Sequence, residues 1–203
     1  MTIRNAIAMA FALLLAGCGA VTTTHEIGTT AGLRTDLALV GTWKDDVFRQ
    51  DFGQDIHVVP VGQGTLTAFE SRIRQRPDDV GSFTIYSFTT AKLGDNHFIN
   101  ADVIRLEGDK SAKRPGWLPL FYTVRGNSLK LYYLEQERAA KAIEAGLIAG
   151  RIDRHQRKSD DGKVEDVIDN VEITAEPAAL DAFMAKPEAV ALFRLYMQLR
   201  KIE

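Results

Sequence analysis

The side chains in this chain that could do chemistry are four histidines, many carboxylates and one cysteine. Their spacing decides how much they could do. A metal site needs several ligands clustered at workable separation. His25, His57, His97 and His155 are scattered along the sequence. His57 and His97 fall in strand-like runs and could meet in space, but a satisfied or solvent-facing histidine is the plainer reading of each. Asp95 and His97 stand two apart across a turn, a weak signal. Asp160-Asp161-Gly162, with Glu165, Asp166 and Asp169 nearby, misses the alternating spacing of an EF-hand loop and leaves at most a loose surface calcium site. No metal and no cofactor is expected. Gly-x-Ser-x-Gly, Ser-x-x-Lys, His-Glu-x-x-His and the P-loop do not occur. Carboxylates are abundant, yet sequence alone cannot show two of them held at glycosidase distance. No catalytic residue can be named, and a non-enzymatic protein is expected.

The basic residues point nowhere in particular. Lys110, Lys113 and Arg114 share the loop 107–116, where a phosphate or headgroup could bind, though a solvated loop is the plainer reading. Arg72, Arg74 and Arg76 at period 2 would line one polar face, most often a wet one. The chain carries 25 basic against 27 acidic residues, a formal charge of −2. That balance gives no electrostatic footprint for nucleic acid and no bulk cationic surface for anionic lipid.

The N-terminus carries the clearest signal. Residues 1–18 read MTIRNAIAMAFALLLAGC: Arg4 gives a positive start, Ile7–Leu15 is an apolar run, and small residues precede the cysteine. That order is a secretory signal peptide, and the run is too short to span a bilayer comfortably, which takes roughly 20 residues. Leu15-Ala16-Gly17-Cys18 resembles the lipobox of bacterial lipoproteins. The resemblance implies cleavage between Gly17 and Cys18, diacylglycerol on the Cys18 thiol, and a membrane-held product. Gly19 in place of aspartate resembles the outer-membrane class, facing the periplasm if the host is Gram-negative. Once its only cysteine is acylated, the chain has no thiol left for disulfides, zinc or redox work.

The remaining sequence divides in two. Residues 18–37 are rich in threonine, glycine and alanine without a sustained period, and read as a lipidated flexible tether with a reach of roughly 25 Å. Residues 38–203 read as a single β-rich domain. Strand-like runs cover 39–44, 55–61, 65–73, 82–93, 97–106, 117–124 and 128–135, separated by Gly- and Asn-rich turns. In the run 97–106, Ile99, Ala101 and Val103 share one face while Asn100 and Asp102 share the other, the alternation of a strand with one wet side. Residues 136–146 are helix formers with Gly146 as a stop. The polar stretch 151–169 is either an exposed hairpin or loop, and 171–174 is one more strand. Pro177 starts a helix over 177–185, and Pro187 starts another running to about residue 200. Ala189, Leu192, Phe193 and Tyr196 form its apolar stripe. The fold class is mainly β (α+β): an antiparallel meander with one inserted helix and C-terminal helices.

Leu39-Val40-Gly41-Thr42-Trp43 at the start of this meander resembles the first strand of lipocalin-like barrels. There a Gly-x-Trp motif lays the tryptophan across the barrel floor, so the resemblance implies a closed barrel with helices against it. The helix at 136–146 and the polar stretch after it depart from a plain lipocalin. The whole pattern is also similar to small bacterial lipoproteins of unknown function, which implies no activity. The leading expectation is an envelope lipoprotein that binds an envelope protein partner in a structural or assembly role. The alternative is a lipocalin-like carrier of a small apolar ligand or lipid. Trp43, Leu192, Phe193 and Tyr196 are the candidate ligand or partner contacts.

Overall fold

Side chains that alternate along a strand give a sheet with one apolar face, and closing such a sheet buries that face without leaving an edge. The computed structural model describes residues 21–45, 53–62, 64–73, 82–104, 116–158 and 162–202. After a three-residue strand β1 (Val21–Thr23) comes the expected meander. It comprises β2 (Gly41–Asp45), β3 (Gly53–Pro60), β4 (Leu66–Ile73) and β5 (Ser82–Leu93). β6 (Asn96–Ile104), β7 (Leu118–Arg125) and β8 (Ser128–Leu134) complete it. The inserted helix α1 (Gln136–Glu144) ends before Gly146, whose positive φ of 69° stops it. A long hairpin follows, β9 (Gly150–Lys158) and β10 (Val164–Ile173), so the polar stretch is hairpin rather than loop. Then come α2 (Pro177–Met184), a single turn α3 (Pro187–Val190) and β11 (Phe193–Lys201).

β11 lies between β8 and β2 and closes an eight-stranded, wholly antiparallel barrel. It stands where a helix to residue 200 was expected. The apolar spacing that suggested the helix has another origin. Ala189 belongs to α3, and the strand carries a bulge at Tyr196, between the pairs Leu195↔Tyr132 and Met197↔Leu131. A bulge puts one extra residue on one strand and breaks the period of two. Phe193 therefore faces out of the barrel, whereas Tyr196, Met197 and Leu199 all reach its interior. The barrel also needs an eighth strand to pair β8 with β2, and that tertiary demand overrides local helix preference.

β1, β10 and β9 form a second, three-stranded sheet with β1 parallel to β10. The flexible tether expected over 18–37 is thus overturned from residue 21 onward. Val21, Thr23 and Ile27 are at most 1% exposed. Thr23 exchanges backbone hydrogen bonds with Trp117. The segment holds because buried polar groups grip it: Asn100 donates to the Ile27 carbonyl and accepts from its N–H. The buried Asp181 carboxylate accepts from the Gly28 and Thr30 N–H groups. The side of β6 expected to be wet is therefore partly covered, with Asn100 fully buried.

Two apolar cores result. One fills the barrel, with Trp43, Val58, Leu66, Phe88, Leu129 and Leu199 among its members. The other lies on the barrel's outer wall, where Phe98, Phe121 and Phe193 meet with ring centroids 5.9–6.0 Å apart. α1, α2 and the β1–β10 sheet pack over those rings. Among the described residues no helix is long and apolar enough to cross a membrane.

Candidate functional site: an apolar cavity in the barrel

The barrel interior is incompletely filled and leaves a cavity of about 150 Å³. Each of the eight strands contributes to its wall. Ile56 and Val58 come from β3, Tyr86 and Phe88 from β5, Leu118 and Leu120 from β7, and Leu129 and Leu131 from β8. Among the described residues the wall contains no charged side chain; beyond carbon it offers the hydroxyls of Tyr86, Tyr133 and Tyr196, the Trp43 indole nitrogen and the Met197 sulfur. The space arises where small residues stand among large ones. Ala68 pairs with Val58 and Tyr86, and Ala101 pairs with Phe88 and Leu118. A leucine-sized side chain at either place would occupy part of the void.

One end of the barrel is closed. The 3-10 turn Leu37–Leu39 crosses it, with the Asp36 carboxylate capping the Ala38 N–H at 2.9 Å. Leu39 and Trp43 are fully buried there. The indole Nε1 of Trp43 donates to the Leu39 carbonyl at 2.7 Å, which satisfies its polar atom and fixes the ring against the cavity floor. Lys201, paired with Trp43 across the closing strands, lays its ammonium over the ring at 5.4 Å.

A polar clasp holds the same end. Tyr122 donates from its hydroxyl to Asp36 Oδ2 at 2.7 Å. Burial pushes the Tyr122 hydroxyl well above the usual tyrosine range, and the hydrogen bond and charge of Asp36 push it further. A phenol kept protonated in this way is a hydrogen-bond donor rather than a nucleophile. His97 stands edge-on to the Tyr122 ring at 5.5 Å, with Nδ1 3.8 Å from Asp36 Oδ2. Thr90 donates to the Arg34 carbonyl and accepts from the Asp36 N–H.

Toward the other end the walls are more open. Leu118, Tyr133, Tyr196 and Met197 line the cavity yet are only half-buried, in contrast to Leu39, Trp43, Leu129 and Leu199 at the floor. No protein-family model, characterised protein or solved structure matches this chain. The functional reading therefore rests on the molecule's own geometry.

The four candidate contact residues divide. Trp43 and Tyr196 line the cavity, whereas Leu192 and Phe193 pack into the outer core. The histidines are held apart. His57 meets Thr42 Oγ1 at 3.1 Å on the barrel's outer face, and His155 meets Asp169 Oδ1 at 2.7 Å on the β9–β10 hairpin. No three His, Cys, Asp or Glu side chains gather as a metal-binding group among the described residues. Cys18, Arg74, Arg76, Lys110, Lys113, Arg114, Asp160 and Asp161 lie outside the described residues, as does the Arg72 side chain. Ala68, Ala101, Asp36 and Tyr122 escaped the sequence reading as site residues. Two alanines in strands carry no sign of a void, and Asp36 lies in a segment read as tether.

Proposed function

We propose that this protein is a membrane-anchored envelope lipoprotein whose barrel carries a small apolar ligand. The observation that carries the reading is the cavity of about 150 Å³, walled by all eight strands and with no charged lining residue among the described ones. Eight-stranded barrels have interiors just wide enough to be filled by side chains or to hold one small ligand. An apolar cavity of this order stays dry and takes up a benzene-sized molecule. A longer ligand would seat one end against Trp43 and leave by the half-buried rim of Tyr133, Tyr196 and Met197. The anchor rests on the lipobox Leu15-Ala16-Gly17-Cys18, with Cys18 as the lipidated residue and the outer membrane as the address in a Gram-negative host. The apolar stripe that a protein-partner role could have used on a terminal helix is divided between the outer core and the cavity wall.

Native mass spectrometry of the chain from residue 19, made without leader or lipid, tests the cavity. A bound mass of a few hundred daltons that leaves on activation is the expected result. A ligand-free mass that stays so after incubation with fatty acids and aromatic hydrocarbons overturns it. Cys18→Ala in the full precursor is expected to abolish acyl labelling and membrane sedimentation; a mutant that keeps both overturns the anchor.

A further inference from the structure

The anchor and the cavity are close together in the chain, and the fold turns that into closeness in space. Only residues 19 and 20 separate Cys18 from Val21. Val21 is 1% exposed, pairs with Val171 in the second sheet, and itself lines the barrel cavity. Thr23, two residues on, is hydrogen-bonded to Trp117, next to the half-buried wall residue Leu118. Three residue steps reach about 11 Å at most. A lipid on Cys18 therefore keeps the barrel wall at Val21 within about 11 Å of its own attachment point, where a free 19-residue tether would give roughly 25 Å.

Resting on the lipoprotein-carrier reading above, we infer that the barrel rides directly on the bilayer and draws its ligand from it. The ligand class is a single-chain amphiphile of the fatty-acid type, whose acyl end enters among Leu118, Tyr133 and Tyr196 and reaches toward Trp43. The described wall it meets is predominantly apolar, which suits a hydrocarbon chain leaving a bilayer of similar polarity. Leu39 and Trp43, fully buried, back the cavity at the end away from Leu118.

The test uses the full lipidated chain, bearing Trp117→Phe so that Trp43 is its only tryptophan, in vesicles of phosphatidylethanolamine and phosphatidylglycerol. Dibromostearic acid added to the vesicles quenches Trp43 when it fills the cavity. A second protein carries 20 Gly/Ser residues inserted after Ala20. The insertion leaves the cavity intact but multiplies the reach by about two and a half, diluting the barrel beside the planar membrane by about the same factor. Equal final quenching with capture about two- to threefold slower in the inserted protein supports direct loading. Equal quenching at equal rates overturns it and leaves the carrier reading standing. No quenching of Trp43 in either protein overturns the carrier reading, and this inference with it.

Discussion

Replacing Ala101 by leucine asks whether the space in the barrel is empty and whether it is used. Ala101 lines the cavity from β6, is 5% exposed, and pairs with Phe88 and Leu118. Leucine adds about three carbons, and at roughly 0.8 kcal/mol per buried methylene they would stabilise by up to about 2.4 kcal/mol if they enter empty apolar space. Lost rotamer freedom removes about 0.5–1 kcal/mol of this. The remainder, about 1.5–2 kcal/mol, raises Tm by about 3–8 °C for a domain of this size. In an already filled interior the same carbons would overpack, at a cost of about 1–3 kcal/mol, and Tm would fall. The sign of the change, read by scanning calorimetry, therefore separates a void from a packed core. The leucine also takes space from the ligand. Displacing two or three ligand carbons forfeits about 1.6–2.4 kcal/mol, so the affinity for dibromostearic acid, read by Trp43 quenching, drops tenfold or more. A lower Tm refutes the void; a higher Tm with unchanged affinity refutes its use.

Three further outcomes follow from the closed end and the N-terminal segment. Trp43→Phe leaves the buried Leu39 carbonyl without its donor and part of the indole volume empty, so urea unfolding shows a loss of about 2–4 kcal/mol; a loss below about 0.5 kcal/mol counts against the floor described here. The raised Tyr122 hydroxyl contributes stability that is complete below the ordinary tyrosine value of about 10 and falls as pH rises beyond it, because the unfolded chain then loses a proton that the folded one keeps. Tyr122→Phe flattens that alkaline decline in a pH series of Tm, and an unchanged slope refutes the assignment. A chain begun at residue 38 loses the buried Val21 and Ile27 and strands the buried Asn100 and Asp181, at about 5–12 kcal/mol together. That matches the whole stability of a typical domain, so the truncated chain is expected to show no cooperative unfolding transition by circular dichroism where the chain from residue 19 shows one.

The meander was legible because its strands alternate. Leu118, Leu120, Tyr122 and Val124 read as one face, and that face is the barrel interior. The resemblance of Gly41-Thr42-Trp43 to the first strand of lipocalin-like barrels implied a tryptophan at the floor, and Trp43 is fully buried against the cavity. β1 was not legible. A strand of three residues has no period to detect, and Val21–Thr23 is extended only because β10 and Trp117 supply its hydrogen-bond partners. β11 was misread because the bulge at Tyr196 replaces alternation with a spacing that mimics a helix. The cavity lay beyond sequence altogether. Alternation tells which side chains point inward, but a void depends on the sum of their volumes around a closed ring, and the ring is known only once β11 closes it.

The outer core explains how the barrel can keep such a void. At about 24 cal/mol per Å³, a cavity of 150 Å³ leaves about 3–4 kcal/mol of packing unrealised. A barrel stabilised only from within would have to recover it by filling the space. Here Phe98 and Phe193 are buried on the outer face instead, together with Leu180 and Met184. Each such side chain brings about 1.5–3 kcal/mol on burial, so two or three of them offset the void. The strands β6, β7, β8 and β11 are therefore apolar on both faces, and the sequence between β8 and β11 supplies the second layer that makes this stable. Stability is carried outside the ring while apolar room is kept inside it. That division is what the proposed ligand-holding role needs.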